Sequence, residues 1–183
     1  DDGLWDLEAV LVDTKYRDFP LATGVRKAGD PVHEMVLTVT IDTKTNVLAA
    51  HAESKWVPYP GHCDAIGPDY AKLVGLNLLQ DFRKHVQARL GLVRGCSHIT
   101  ELAKVLPTAA VQAFADEVFK TRDTAHDAHH EDDTKPWQLD RCHALRSDGP
   151  AVEKFYPRWY EPKGRAAASD QPPPTPIKDG MTR

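Results

Sequence analysis

Residues 32–42 read VHEMVLTVTID and residues 47–56 read VLAAHAESKW, two runs of period two separated by the turn-like TKTN at 43–46. If Asp42 closes against Val47, Met35, Leu37, Val39 and Ile41 of the first run meet Leu48, Ala50, Ala52 and Trp56 of the second on one face. The other face then sets Glu34, Thr38 and Thr40 against His51, Glu53 and Lys55, with Glu34 and Lys55 spaced for a cross-strand ion pair. A sheet with one apolar and one solvated face is antiparallel and needs covering on one side only.

Working outward, residues 4–13 (LWDLEAVLVD) alternate Trp5, Leu7, Ala9 and Leu11 with Asp6 and Glu8, a third strand whose apolar face ends at Asp13. The connection TKYRDFPLATGVRKAGDP at 14–31 is too rich in Gly, Pro and charge for sustained regular structure, and is expected to be a long loop. The period changes after VPYPGHCDAIGP: helical spacing runs from Asp69 to Leu90 with a break near Gly75 and a stop at Gly91. A second helix is expected from an N-cap at Ser97 to Leu106, interrupted by Pro107 and resuming from Thr108 to Lys120. Residues 121–136 are expected to form a charged, His-rich loop and Trp137 to Tyr160 to return to the core, with the composition of the Pro-rich stretch from 161 pointing to a segment that does not fold alone. The expected fold is therefore α+β, an antiparallel β-meander packed against C-terminal helices, with one domain over 1–160 and a flexible tail over 161–183.

The chain has 183 residues, a formal net charge of -4, 27% charged and 41% hydrophobic residues. That leaves room for one full core and provides no basic footprint for nucleic acid. With no apolar run long enough to span a bilayer and no leader-like start, the expectation is a soluble, cytoplasmic protein. Cys63, Cys96 and Cys142, odd in number and widely spaced, fit a reducing compartment. GxGxxG, P-loop and GxSxG signatures are missing, so neither nucleotide binding nor a hydrolase triad is supported. The expected partner is a small molecule, with self-association left open.

In a meander the end of the first strand lies beside the start of the second, so Asp13, His33 and the Ser54/Trp56 region should gather at one end of the buried face. A carboxylate beside a histidine suits acid–base chemistry near neutral pH, though Asp13 capping a turn beside a core histidine uses the same residues. Tyr16, Arg17 and Arg26 from the loop, with Trp56 and Tyr59, would make an aromatic and cationic pocket mouth. In GCSHITEL, His98 and Glu101 are spaced i, i+3 at a helix start with Cys96 just before it, an arrangement open to both a catalytic and a capping reading. Each cysteine has a histidine within two residues. Cys63, Cys96, His98 and Cys142 are thus an alternative set for zinc or another divalent metal, although no short chelating spacing supports it. The histidines at 126, 129 and 130 belong to the exposed charged run.

GLWDLEAVLVDTK, AGDPVHEMVLTVTID, PYPGHCDAIGPDYAKLVG, RGCSHITEL and LDRCHALRSDGPAVEKFYPRWY, in this order over residues 3–160, resemble the bacterial domain-of-unknown-function family 2889. The resemblance implies that Asp13, His33, Cys63, Cys96, His98, Glu101 and Cys142 lie in recurring motifs. It also implies a link to proteobacterial metabolism of aromatic compounds and to lyases releasing formaldehyde from lignin-derived aromatic dimers. Such a retro-aldol loss needs a base, an acid and an aromatic-lined pocket, without nucleotide or redox cofactor. The expected catalytic set is His33, oriented by Asp13, with His98 and Glu101. The alternative is a non-catalytic domain binding a small ligand or zinc.

Overall fold

The computed structural model describes residues 3–115, 117–118 and 135–162. The chain divides into two compact units, residues 1–120 and 121–183. The His126 to His130 run and most of the Pro-rich tail, residues 163–183, lie outside the described residues.

In the first unit, β1 (Leu4–Thr14), β4 (Pro31–Asp42) and β5 (Val47–Trp56) form an antiparallel sheet in the order β1-β4-β5. The connection expected to be irregular folds into a short hairpin, β2 (Phe19–Leu21) with β3 (Gly24–Arg26). Its ends are tied by Lys27 Nζ to Asp18 at 2.7 Å, and it is held down by Thr23 Oγ1 donating to Pro58 O at 2.7 Å. The β4–β5 turn closes as an Asx turn: the Asp42 carboxylate accepts the Lys44 and Asn46 amides at 2.9 and 2.8 Å.

Met35, Leu37, Val39 and Ile41 all face the core, opposite Ser54, Ala52, Ala50 and Val47. Two irregularities in this ladder correct the simple alternation. The one at Thr40/Ile41 turns Val47 inward in place of Leu48, which is exposed. The other, at Glu34/Met35, sets Trp56 opposite Glu34 and takes it out of the buried stripe. Glu34 and Lys55 do pair, at 3.9 Å.

The inner face is covered by a 3-10 helix (Asp64–Leu73), α1 (Phe82–Leu90) and α2 (Ser97–Ala113), which contribute Tyr70, Leu73, Phe82, Val86, Leu90, Ile99, Leu106 and Ala110 to one core. The architecture is α+β. The helix expected from Asp69 to Leu90 is broken because residues 75–78 spend their backbone groups on the sheet: Val47 N–H donates to Leu76 O at 2.8 Å and Leu78 N–H to Thr45 O at 2.9 Å. Gly67 is required where the 3-10 helix meets β5, since a Cβ there would lie 2.6 Å from Ala52 O. Ser97 is the first helical residue of α2 and Cys96 its N-cap. Pro107 sits inside α2 without ending it, and the Lys104 carbonyl one turn earlier accepts Arg83 Nε at 3.0 Å. α2 ends at Ala113, and of the residues expected to continue it to Lys120, residues 116, 119 and 120 lie outside the described ones.

The second unit contains α3 (Pro150–Phe155) and a loop closed on Asp140. The Asp140 carboxylate accepts the Ser147 amide at 2.7 Å, Ser147 Oγ at 2.6 Å and Lys135 Nζ at 2.7 Å. These three donors hold its carboxyl at about 2, with Lys135 the largest cause. Among the described residues no helix is long and apolar enough to cross a membrane.

Candidate active site

Antiparallel pairing of β1 with β4 puts Asp13 directly opposite His33. The pair meets through Asp13 Oδ2 and His33 Nδ1 at 3.2 Å, while Lys15 Nζ donates to Asp13 Oδ1 at 2.6 Å. Lys15 is the main reason the Asp13 carboxyl titrates below its usual range; partial burial opposes the shift and the His33 bond adds to it. Asp13 is thus held as a carboxylate that orients the His33 ring.

The second half of the site comes from the start of α2, and buried Tyr70 fixes where that start lies. Tyr70 Oη accepts the Cys96 amide at 3.0 Å and donates to Cys96 O at 2.8 Å, with Thr100 Oγ1 at 2.9 Å. Burial raises the phenol above its ordinary value and keeps it protonated for this role. Gly95 permits the close turn, because a Cβ there would collide with Leu90 O and crowd Tyr70 Oη. So clamped, α2 lays the His98 ring beside His33 with centroids 4.2 Å apart and planes at 35°. Cys96 Sγ lies 3.8 Å from His98 Nδ1 and 3.8 Å from Met35 Sδ. Burial, then the neighbouring His33, lower the pKa of His98, and Asp13 partly offsets this. His98 is therefore a neutral imidazole at pH 7, able to accept a proton.

Asp13, His33, His98 and Cys96 come together; Glu101 does not join them. Its side chain is 67% exposed and its ion pair is with Lys104 at 2.5 Å. Tyr16 is 88% exposed, with Arg17 Cζ 5.5 Å from its ring centroid. Arg26 and Trp56 do meet, Arg26 Cζ standing 4.6 Å over the indole while Nη2 donates to Val57 O at 3.1 Å. Tyr59 is exposed near this connector. Cys63 packs against the core edge, and Cys142 is exposed in the second unit. Among the described residues, no three His, Cys, Asp or Glu side chains are grouped to hold a metal ion.

Sequence reasoning overlooked Tyr70 and Lys15 and read Met35 only as a core residue, while Ser54 was expected at this end of the sheet. Ser54 Oγ, opposite Met35, is buried without a hydrogen-bond partner. The available signals were a tyrosine at an inward helical position, whose hydroxyl must find partners when buried, and a lysine two residues beyond Asp13.

No curated protein and no solved structure matches the chain. The model of a family described as "Protein of unknown function (DUF2889)" matches residues 1–112, a span that holds Asp13, His33, Cys96 and His98 and stops before Leu139–Tyr160. With well over half of its residues matched, the chain belongs to this family, whose description assigns no activity.

Proposed function

We propose that the protein is a lyase that uses the two stacked imidazoles to cleave a carbon–carbon bond of a small aromatic substrate and release formaldehyde. The observation that carries this reading is the pairing of a neutral His98 with a carboxylate-backed His33 at 4.2 Å between rings. His98 accepts the proton of the substrate hydroxymethyl group. The C–C bond then breaks, its electron pair passing to the carbon that stays with the aromatic system and the hydroxymethyl carbon leaving as formaldehyde. His33 gives a proton to that carbon and takes one back through solvent as His98 releases the proton it accepted, so the cycle closes and nothing is oxidised or reduced. Asp13 orients His33 and offsets charge that develops on it, as a carboxylate does behind any acid–base histidine. The Arg26–Trp56 stack offers a cationic and aromatic surface, and Ser54 Oγ a hydroxyl seeking a partner. The substrate class rests on the family resemblance together with this donor set.

The test is formaldehyde release from a panel of hydroxymethyl-bearing aromatic dimers, with metal-free and metal-supplemented protein in parallel. Release by the metal-free protein is expected. Silence from both preparations of folded protein contradicts the proposal and favours a ligand-binding domain.

A further inference from the structure

We propose that Met35, Cys96 and His98 form a binding site for a soft monovalent cation, copper(I). Two further donors meet the Cys96 thiol here, a thioether and an imidazole nitrogen, with Cys96 Sγ 3.8 Å from both Met35 Sδ and His98 Nδ1. Metal–sulfur bonds of about 2.3 Å and metal–nitrogen bonds of about 2.0 Å are usual for first-row ions. Taken pair by pair, an ion at those lengths would subtend about 110° between the two sulfurs and about 125° between the Cys96 sulfur and the imidazole nitrogen. These are ordinary trigonal to tetrahedral angles, so neither donor pair needs to move to take the ion.

The identity of the donors decides which ion. Thiolate and thioether together select copper(I), whereas carboxylate-rich sets select magnesium, calcium or manganese. The described residues hold no group of three His, Cys, Asp or Glu side chains of the kind zinc uses. Only when the Met35 sulfur is counted does a third ligand appear, and a thioether is a good ligand for copper(I). Met35 is 1% exposed, with its backbone placed by the ladder to Leu11 and Ser54, so its sulfur is held among core side chains beside Cys96. Cys96 and His98 are half-buried and form the side open to an incoming ion. Binding replaces the Cys96 S–H bond with S–Cu, the proton passes to solvent, and no electron is transferred.

The binding claim does not depend on the lyase reading. One consequence does: a metal on His98 Nδ1 occupies the proposed proton acceptor, so copper(I) would inhibit turnover while leaving the fold intact.

The experiment is an anaerobic titration of the 183-residue chain with copper(I) against the chromogenic chelator bicinchoninate, with zinc(II) in a parallel arm. One equivalent of copper(I) should be withheld from the chelator, and the Cys63→Ser/Cys142→Ser double variant should withhold the same amount. Cys96→Ser should withhold none. Met35→Leu, a volume-conserving change that keeps the core, should hold copper(I) at least tenfold more weakly with an unchanged circular dichroism spectrum. The proposal is overturned if wild type withholds no copper(I), or if stoichiometry survives in Cys96→Ser or is lost in the double variant. Met35→Leu binding as wild type, or zinc(II) held as tightly as copper(I), would overturn it equally.

Discussion

His33 and Glu101 separate what a sequence says about position from what it says about direction. The alternation that ends at Asp13 and begins at His33 left one antiparallel register in which they could meet, and they meet at 3.2 Å. Glu101 was placed with His98 by the i, i+3 rule, which gives a shared face but no rotamer. Lys104, itself i+3 from Glu101, takes the carboxylate toward solvent. His33→Gln is therefore expected to lower kcat for formaldehyde release about 10²–10⁴-fold. Glu101→Gln should stay within about twofold of wild type, as is usual for an exposed surface change. Circular dichroism should match in all three proteins. A large loss in Glu101→Gln would return that residue to the site.

At the scale of elements, what could be read was the three long strands and the presence of covering helices; the β2–β3 hairpin and the irregularities could not. The shift that turns Leu48 off the buried stripe sits beside the local Asx turn, and the one that takes Trp56 off it lies next to Val57, which Arg26 of the hairpin reaches across a long stretch of chain. Pro107 was expected to interrupt the helix, yet α2 runs through it, with Arg83 Nε donating to the Lys104 carbonyl one turn back. The start of α2 rests on Tyr70, which donates to and accepts from the backbone of Cys96. Tyr70→Phe leaves those backbone groups short of a partner and should cost about 1–3 kcal/mol in chemical denaturation. It should also slow formaldehyde release, because His98 is positioned through Cys96. Gly95→Ala should destabilise further, since its Cβ collides with backbone at Leu90. Wild-type stability in both variants would show that the clamp is dispensable.

At the scale of the whole molecule, the α+β class followed from one argument: a sheet with a single apolar face, then helical spacing to cover it. Leu37 lies at the middle of that face, fully buried, and Leu37→Ala should cost about 2–5 kcal/mol in denaturant unfolding. The second unit carried weaker signals, because its organisation depends on Asp140 in a left-handed conformation collecting donors from Lys135 and Ser147. Its carboxyl, at about 2 in the folded chain against an ordinary 3.8, contributes stability above about pH 4 that is lost as pH falls toward 2. An NMR titration of the Asp140 carboxyl should have its midpoint near 2; a midpoint near the ordinary value would show that the clamp is open in solution. The central claim, that the stacked histidines cleave a hydroxymethyl aromatic, is tested most directly by measuring formaldehyde from metal-free wild type and His33→Gln side by side. Release by wild type and its near-complete loss in a folded His33→Gln is the predicted result, and equal release by both would contradict the account.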